Sequence, residues 1–244
     1  MPVTGFFAVA PKIAAVCLFV SVLSYPFAGL ANQWQQVIIL IAALSMIVGA
    51  LGALRQTNIK RLMAYSSIGH VGYILVGLAS ANADGIRGIL IYMFIYMTMT
   101  VGMFACIMLI KQKEDSSEDI YAFAGLSKTK PFLALAIAVI LFSMAGIPPF
   151  AGFFGKFFVF LAAVKSGLYG LAVIGVLSSV IAAFYYLRII KIMYFDEAGS
   201  YLERDMAYEM RIIACVSAVF NLLFFISFAP VVDAASKAAS VFFG

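Results

Sequence analysis

The stretch GIPPFAGFFGKFF (residues 146–158) decides how the rest of the chain is read. It lies inside an apolar run from Pro131 to Val164, 34 residues in length. As one unbroken helix that run would measure ~51 Å, against a hydrocarbon layer ~30 Å thick. Pro148 and Pro149 supply no N–H groups and clash with the preceding turn, so a helix must break or kink there. Gly146, Gly152 and Gly155 let the chain bend and let neighbouring helices approach. Carbonyls freed by such a break cannot face lipid, because an unsatisfied backbone group in hydrocarbon costs several kcal/mol. They must line a protein interior or a hydrated cavity, and Lys156 lies one to two turns past the break. Interrupted helices near the bilayer centre mark ion or substrate sites in transporters.

The surrounding composition agrees with a membrane setting. Of 244 residues, 65% are hydrophobic and 11% charged, and the mean hydropathy is +1.08. A soluble domain carries roughly 25% charged and 45–50% apolar residues. The expected class is all-α, a polytopic membrane protein of about seven transmembrane helices, one of them broken. Apolar segments run over roughly 3–30, 35–54, 61–81, 86–110, 131–164, 167–193 and 208–229, within a single transmembrane domain, 1–244. The fifth is interrupted near 146–150. The net charge of +5 does not point to nucleic acid, because the basic residues sit in short loops between apolar runs. Cys17, Cys106 and Cys215 each lie alone in an apolar run, and His70 is the single histidine. Haem, iron–sulfur and zinc sites need more ligands than that, so no cofactor or metal is expected on this chain. An apolar segment starts almost at Met1 without a basic n-region or a small-residue cleavage site. It is not a signal peptide, and the chain reads as one entered midway.

Loop charges set the orientation. With seven crossings, one side carries Arg55, Lys60, Arg61, Lys111, Lys113, Lys128, Lys130, Arg188, Lys191, Arg204 and Arg211. The other carries Arg87, Lys165 and Lys237. The positive-inside rule places the first group in the cytoplasm, the N-terminus inside and the C-terminus outside. Splitting the fifth segment into two crossings would send four basic residues to the wrong side. Two lysines remain, Lys12 and Lys156, both within apolar segments with no acid beside them in sequence.

A charged lysine at the midplane costs about 2.5–3.5 kcal/mol on insertion scales. Burial disfavours the charged form of any amine, so such a group can alternate between protonated and neutral as its surroundings change, which a proton relay requires. The bland alternative for Lys156 is snorkelling, since Val164 is about 12 Å away along a helix. Lys12, in AVAPKIAAV, lies about a third of the way across, where snorkelling competes evenly. His70 lies in RLMAYSSIGHVGYILVGL, with Ser66 and Tyr73 on the same helical face. An imidazole titrates nearest neutral pH and flanking hydroxyls could hold water; a core histidine bonded to a neighbouring helix fits as well. Tyr92, Tyr96 and Thr100 form a similar stripe that reads as packing. In the loop KQKEDSSEDIYAFAGLSKTK, the part IYAFAGL (residues 120–126) is apolar enough to lie on the membrane or on a partner subunit.

Three stretches carry a resemblance: RQTNIKRLMAYSSIGHVGYILVGLA (55–79), SMAGIPPFAGFFGKFFVF (143–160) and AAFYYLRIIKIMYF (182–195). They resemble the antiporter-like membrane subunits of the proton-pumping NADH:quinone oxidoreductase, respiratory complex I, and the likeness runs over essentially the whole chain. The lysine of GFFGKF and the phrase TNIKRLMAYSSIGHVGY are closer to the N type than to the M type, which usually has glutamate at the position of Lys156, or the L type, with an FSKD-like surround. The resemblance implies a fold of fourteen helices with two inverted five-helix repeats, of which this chain would supply helices eight to fourteen. Lys156 falls on the helix-twelve lysine, Lys12 on the helix-eight lysine and His70 on a helix-ten histidine of a central polar axis. The family's helix-five glutamate and helix-seven lysine have no counterpart here, so the chain is expected to be a fragment, a split gene product or a misannotated start that does not pump alone.

The resemblance further implies proton translocation through Lys156, Lys12 and His70, supported by Ser66, Tyr73, Pro148 and Pro149. NADH, FMN, iron–sulfur clusters and quinone would be handled by partner subunits. The neighbours would be other membrane-arm subunits and membrane lipid, in a bacterial plasma membrane or mitochondrial inner membrane. A non-conducting scaffold of the membrane arm and a subunit of a multisubunit cation/proton antiporter are the competing readings.

Overall fold

The computed structural model describes residues 2–110, 118–197 and 208–242. The long helices are α1 (Pro2–Ser24), α2 (Ala31–Leu54), α3 (Ile59–Ala79) and α4 (Ala83–Leu109), then a short α5 (Leu126–Thr129). They are followed by α6 (Pro131–Ala145), α7 (Ala151–Lys165), α8 (Tyr169–Phe195), α9 (Tyr208–Leu223) and α10 (Ala229–Ser240). Six of the helical stretches are long and apolar enough to cross a membrane. α6 and α7, at 15 residues each, are too short to do so singly and lie on either side of the proline pair.

Local chemistry sets the ends. Asn58 caps α3, its side-chain oxygen accepting from the backbone N–H of Lys60 at 2.9 Å and Arg61 at 3.1 Å. Asn82 caps α4 through the N–H of Gly85 at 2.8 Å. Pro131 opens α6, where its missing N–H is no loss. Gly146 closes it with φ at 84°, its N–H turning back to the carbonyls of Phe142 and Ser143 at 3.1 and 2.9 Å.

α3 and α4 form the buried centre, with 78% and 72% of their membrane-length windows enclosed, against 17% for α1. α4 packs against α1, α3, α6, α7, α9 and α10, while α2 lies along α3 and α8. The outer faces of α1, α2, α8 and α9 present Phe6, Leu18, Leu40, Val180, Phe184 and Val216 outward, as helices in lipid must. The two ends of the bundle differ in charge. At one end Ile59 N–H reaches the Glu118 carbonyl and Ile120 N–H the Thr57 carbonyl, both at 2.7 Å. There Glu118 also pairs with Lys60, and Gly125 N–H bonds Ile192 O at 3.4 Å. This end therefore gathers Arg55, Lys60, Arg61, Lys128, Lys130 and Lys191. Lys111, Lys113 and Arg204 lie outside the described residues. At the opposite end Asp84 pairs with Lys165 and Arg87, each at 2.8 Å, and Asn82 donates to Ser166 at 2.8 Å.

Three details differ from the expectations. α1 stops at Ser24 instead of running to 30, because Pro26 lacks an N–H and restricts Tyr25; a single 3-10 turn, Ala28–Leu30, then leads into α2. The IYAFAGL segment spends most of its large apolar side chains on the bundle itself and leaves Tyr121 exposed. Ile120, Phe123 and Leu126 are buried at 0–2% exposure, folded against α6 and α8 by the 3-10 turn Ile120–Phe123 and by α5. α10 lies beyond the last apolar segment, with Ala235 and Ala239 buried and Asp233 and Lys237 exposed.

Candidate functional site

The Gly146–Phe150 break leaves the last carbonyls of α6 without helical partners. Lys156, in the second turn of α7, supplies them. Its Nζ donates to Ala145 O at 2.8 Å and Met144 O at 3.2 Å, and to Ser179 Oγ of α8 at 2.7 Å. The same nitrogen lies 4.9 Å from the centroid of the Tyr73 ring. Lys156 is 5% exposed, and its amine points back to the break, not out along α7 towards a headgroup layer. Hydrogen bonds from a charged donor are worth ~1.5–3 kcal/mol each, which is enough for three of them to offset the ~2.5–3.5 kcal/mol of placing an ammonium at midplane. Among the described residues no carboxylate pairs with it.

The joint is fastened from its other side by Ser143. Its Oγ accepts the N–H of Gly152 at 2.8 Å, in the first turn of α7, and lies 2.7 Å from Oδ1 of Asn221 on α9 and 3.2 Å from the Met99 sulfur on α4. Asn221 donates to Ser217 O at 2.8 Å. Ser143 and Asn221 are fully enclosed. Pro148 and Pro149, joined by a cis peptide, lie in the turn between the half-helices.

His70 is 3% exposed and held between two phenols, with Nδ1 2.7 Å from Tyr92 Oη and Nε2 3.2 Å from Tyr186 Oη. Tyr186 also bonds Ser66, so Ser66 and His70 share one partner from α8. Tyr73 belongs to a different group: its hydroxyl is 3.3 Å from Ser178 Oγ and its ring face receives Lys156. Lys12 of α1 donates to Ser67, whose hydroxyl is 2.6 Å from Tyr96 Oη; the Tyr96 ring centroid is 5.2 Å from that of His70. A cavity of about 20 Å³ touches Ser66, Ser67, His70, Tyr96, Thr100 and Met144, large enough for one water. It adjoins both the Lys12 group and the His70 group, and reaches the residue whose carbonyl Lys156 holds.

The expected residues thus fall into three polar groups set close along the interior: Lys12 with Ser67 and Tyr96; Ser66, Tyr186, His70 and Tyr92; and Tyr73, Lys156 and the serines of α8. Tyr92 and Tyr96, expected from their spacing to serve packing, carry hydroxyls bonded to His70 and Ser67. Ser67, Ser143, Ser178, Ser179, Tyr186 and Asn221 were not anticipated. The signal available for them is a hydroxyl or amide inside an apolar run, which is weak because such groups can satisfy themselves on their own helix backbone.

Residues 1–182 match the family described as NADH:quinone oxidoreductase/Mrp antiporter, TM. NADH-quinone oxidoreductase subunit N of Rhodospirillum rubrum is 60% identical over 98% of this chain and 49% of its own length. A chain of the respiratory complex I of Thermus thermophilus, solved with bound aureothin, is 30% identical and superposes with a TM-score of 0.68 over 81% of this chain and 45% of its own. The Mrp complex of Dietzia sp. DQ12-45-1b shares the fold, with a TM-score of 0.87 at 20% identity over 97% of this chain and 52% of that one. The chain spans about half the length of the curated relatives it matches. It is a multi-pass integral membrane protein, and it belongs to the NADH:quinone oxidoreductase/Mrp antiporter transmembrane family.

Proposed function

We propose that this chain works in the membrane arm of an NADH:quinone oxidoreductase, as the second half of a proton-translocating subunit of the N type. The single observation that carries the reading is the Lys156 amine held inside the bundle on the open carbonyl end of α6. NADH, FMN, iron–sulfur clusters and quinone belong to partner subunits, and this chain moves protons only. The end rich in lysine and arginine faces the cytoplasm.

In this mechanism, charge displaced by quinone reduction in a neighbouring arm changes the balance between an ammonium and a neutral amine at Lys156. The carbonyls of Met144 and Ala145 favour the ammonium; an approaching positive charge favours release of its proton. His70, between Tyr92 and Tyr186, and Lys12, on Ser67, feed the same interior through hydroxyls and the adjoining cavity. Ser66 and Tyr73 orient the groups they touch, and Pro148 and Pro149 hold the helix broken between α6 and α7.

The test is Lys156→Ala in the assembled complex, reconstituted into vesicles, with NADH oxidation and proton uptake recorded together. Electron transfer is expected to continue while the protons moved per electron fall. An unchanged proton yield removes Lys156 from the path. The family description also covers Mrp antiporters; exchange driven by a sodium gradient in the absence of quinone would shift the assignment to that branch.

A further inference from the structure

The groups around the Lys156 amine are of the kind that coordinates a monovalent cation. Two are the carbonyl oxygens of Ala145 and Met144, at 2.8 and 3.2 Å, and a third is Ser179 Oγ at 2.7 Å. The ring of Tyr73 covers a further side, its centroid 4.9 Å away. The carbonyls belong to the C-terminal end of a half-helix, where unpaired acceptors and the negative end of the macrodipole coincide. Such ends hold alkali cations in transporters with interrupted helices, and rings of carbonyls at this spacing replace the hydration shell of potassium. No carboxylate contributes among the described residues, so the cradle is polar but uncharged and suits a single positive charge. Gly146 leaves the lysine's approach open, since a Cβ there would stand 2.9 Å from its Cδ and 3.1 Å from its Nζ.

We propose that the Lys156 amine is the tethered occupant of a monovalent-cation site, and that an alkali cation, potassium best matching ammonium in size, takes the cradle when the amine is removed. The inference rests on the reading of Lys156 as the working positive charge at the break, and adds to it a ligand class. Removing the outer three methylenes and the amine opens space beside the three oxygens, in which water completes the ion's shell.

The experiment measures binding of radiolabelled potassium, by equilibrium dialysis against a choline background, to nanodisc-held complex carrying Lys156→Ala and to the wild type. The variant is expected to show saturable binding, roughly tenfold or more above wild type at equal free ion. Adding Ser179→Ala should weaken that binding. If Lys156→Ala does not assemble, Lys156→Ser, whose hydroxyl gives the vacated channel a polar group near its base, is measured instead, and assembly that requires potassium in place of choline supports the proposal. Equal binding by variant and wild type overturns it. Loss of pumping without potassium binding removes the cation site and leaves the relay; potassium binding in a variant that still pumps does the reverse.

Discussion

Gly152 has no side chain, and the place where a Cβ would stand is taken by the carbonyl of Ser143. The end of α6 and the start of α7 can meet only because that atom is missing, and the Gly152 N–H then finds Ser143 Oγ. Gly152→Ala is expected to destabilise the protein by about 1–3 kcal/mol, since backbone atoms give way less readily than a side chain. Gly170→Ala is the comparison: nothing lies within 4 Å of its added methyl, and in the first turn of α8 it should be neutral or stabilise by up to ~1 kcal/mol. Thermal unfolding of the two purified variants under one detergent condition checks the contrast. Lys12, His70 and Lys156 were legible in sequence because a titratable group in an apolar run is expensive without a purpose or a partner. Ser143 and Asn221 were not, because a lone serine or asparagine in such a run has its own backbone to bond and signals nothing beyond its helix.

The two half-helices and α9 meet through one hydroxyl, which ties their rigidity together. Ser143→Ala would leave the Gly152 N–H and Asn221 Oδ1 without the partner they share in an enclosed site, at about 1–3 kcal/mol for each group left unsatisfied. Asn221→Leu removes an acceptor that Ser143 can replace by turning to Met99, so it should cost less. Amide exchange at Gly152, followed by mass spectrometry on fragments covering 150–160, is expected to speed up more in the serine variant than in the asparagine variant. The break itself was readable, since two prolines followed by Gly152 and Gly155 in an overlong run admit little else. The end of α1 was overrun because hydropathy continues through Phe27 and Leu30 while the backbone stops at the proline. α10 carries little signal in the sequence, because alanines and serines around one aspartate and one lysine have neither the hydropathy of a span nor the charge of a surface helix.

Across the whole molecule, the uneven distribution of basic residues between the two ends fixes how the bundle should sit. Cysteines introduced at Gln56 and Gly167, at opposite ends, should react with a membrane-impermeant maleimide from opposite sides, Gln56 from the cytoplasm. Reaction of both from one side would overturn the orientation. The ion pairs at the ends are too exposed to decide stability: Lys60 and Glu118 are about one-third exposed, and surface pairs contribute ~0–1 kcal/mol. Glu118→Gln is therefore expected to shift the unfolding midpoint only slightly. The apolar loop at 120–126 shows where sequence patterns stop. Its hydrophobic residues predict a surface for membrane or a partner, but closing the ends of α6 and α8 takes Ile120, Phe123 and Leu126 and leaves Tyr121 exposed, a division that only the packing could show.

An imidazole set between Tyr92 and Tyr186 has a polarity. When neutral it gives to one phenol and takes from the other, so each arrangement of its proton aligns the neighbouring hydroxyls one way. A second proton on the ring makes both nitrogens donors, and whichever tyrosine had been giving must swing its O–H aside, a turn for which Tyr186 has Ser66 waiting. On the proposed path, a proton handed through this ring would leave the row of dipoles reversed behind it, and the hydroxyls would have to turn back before the next proton could follow in the same direction.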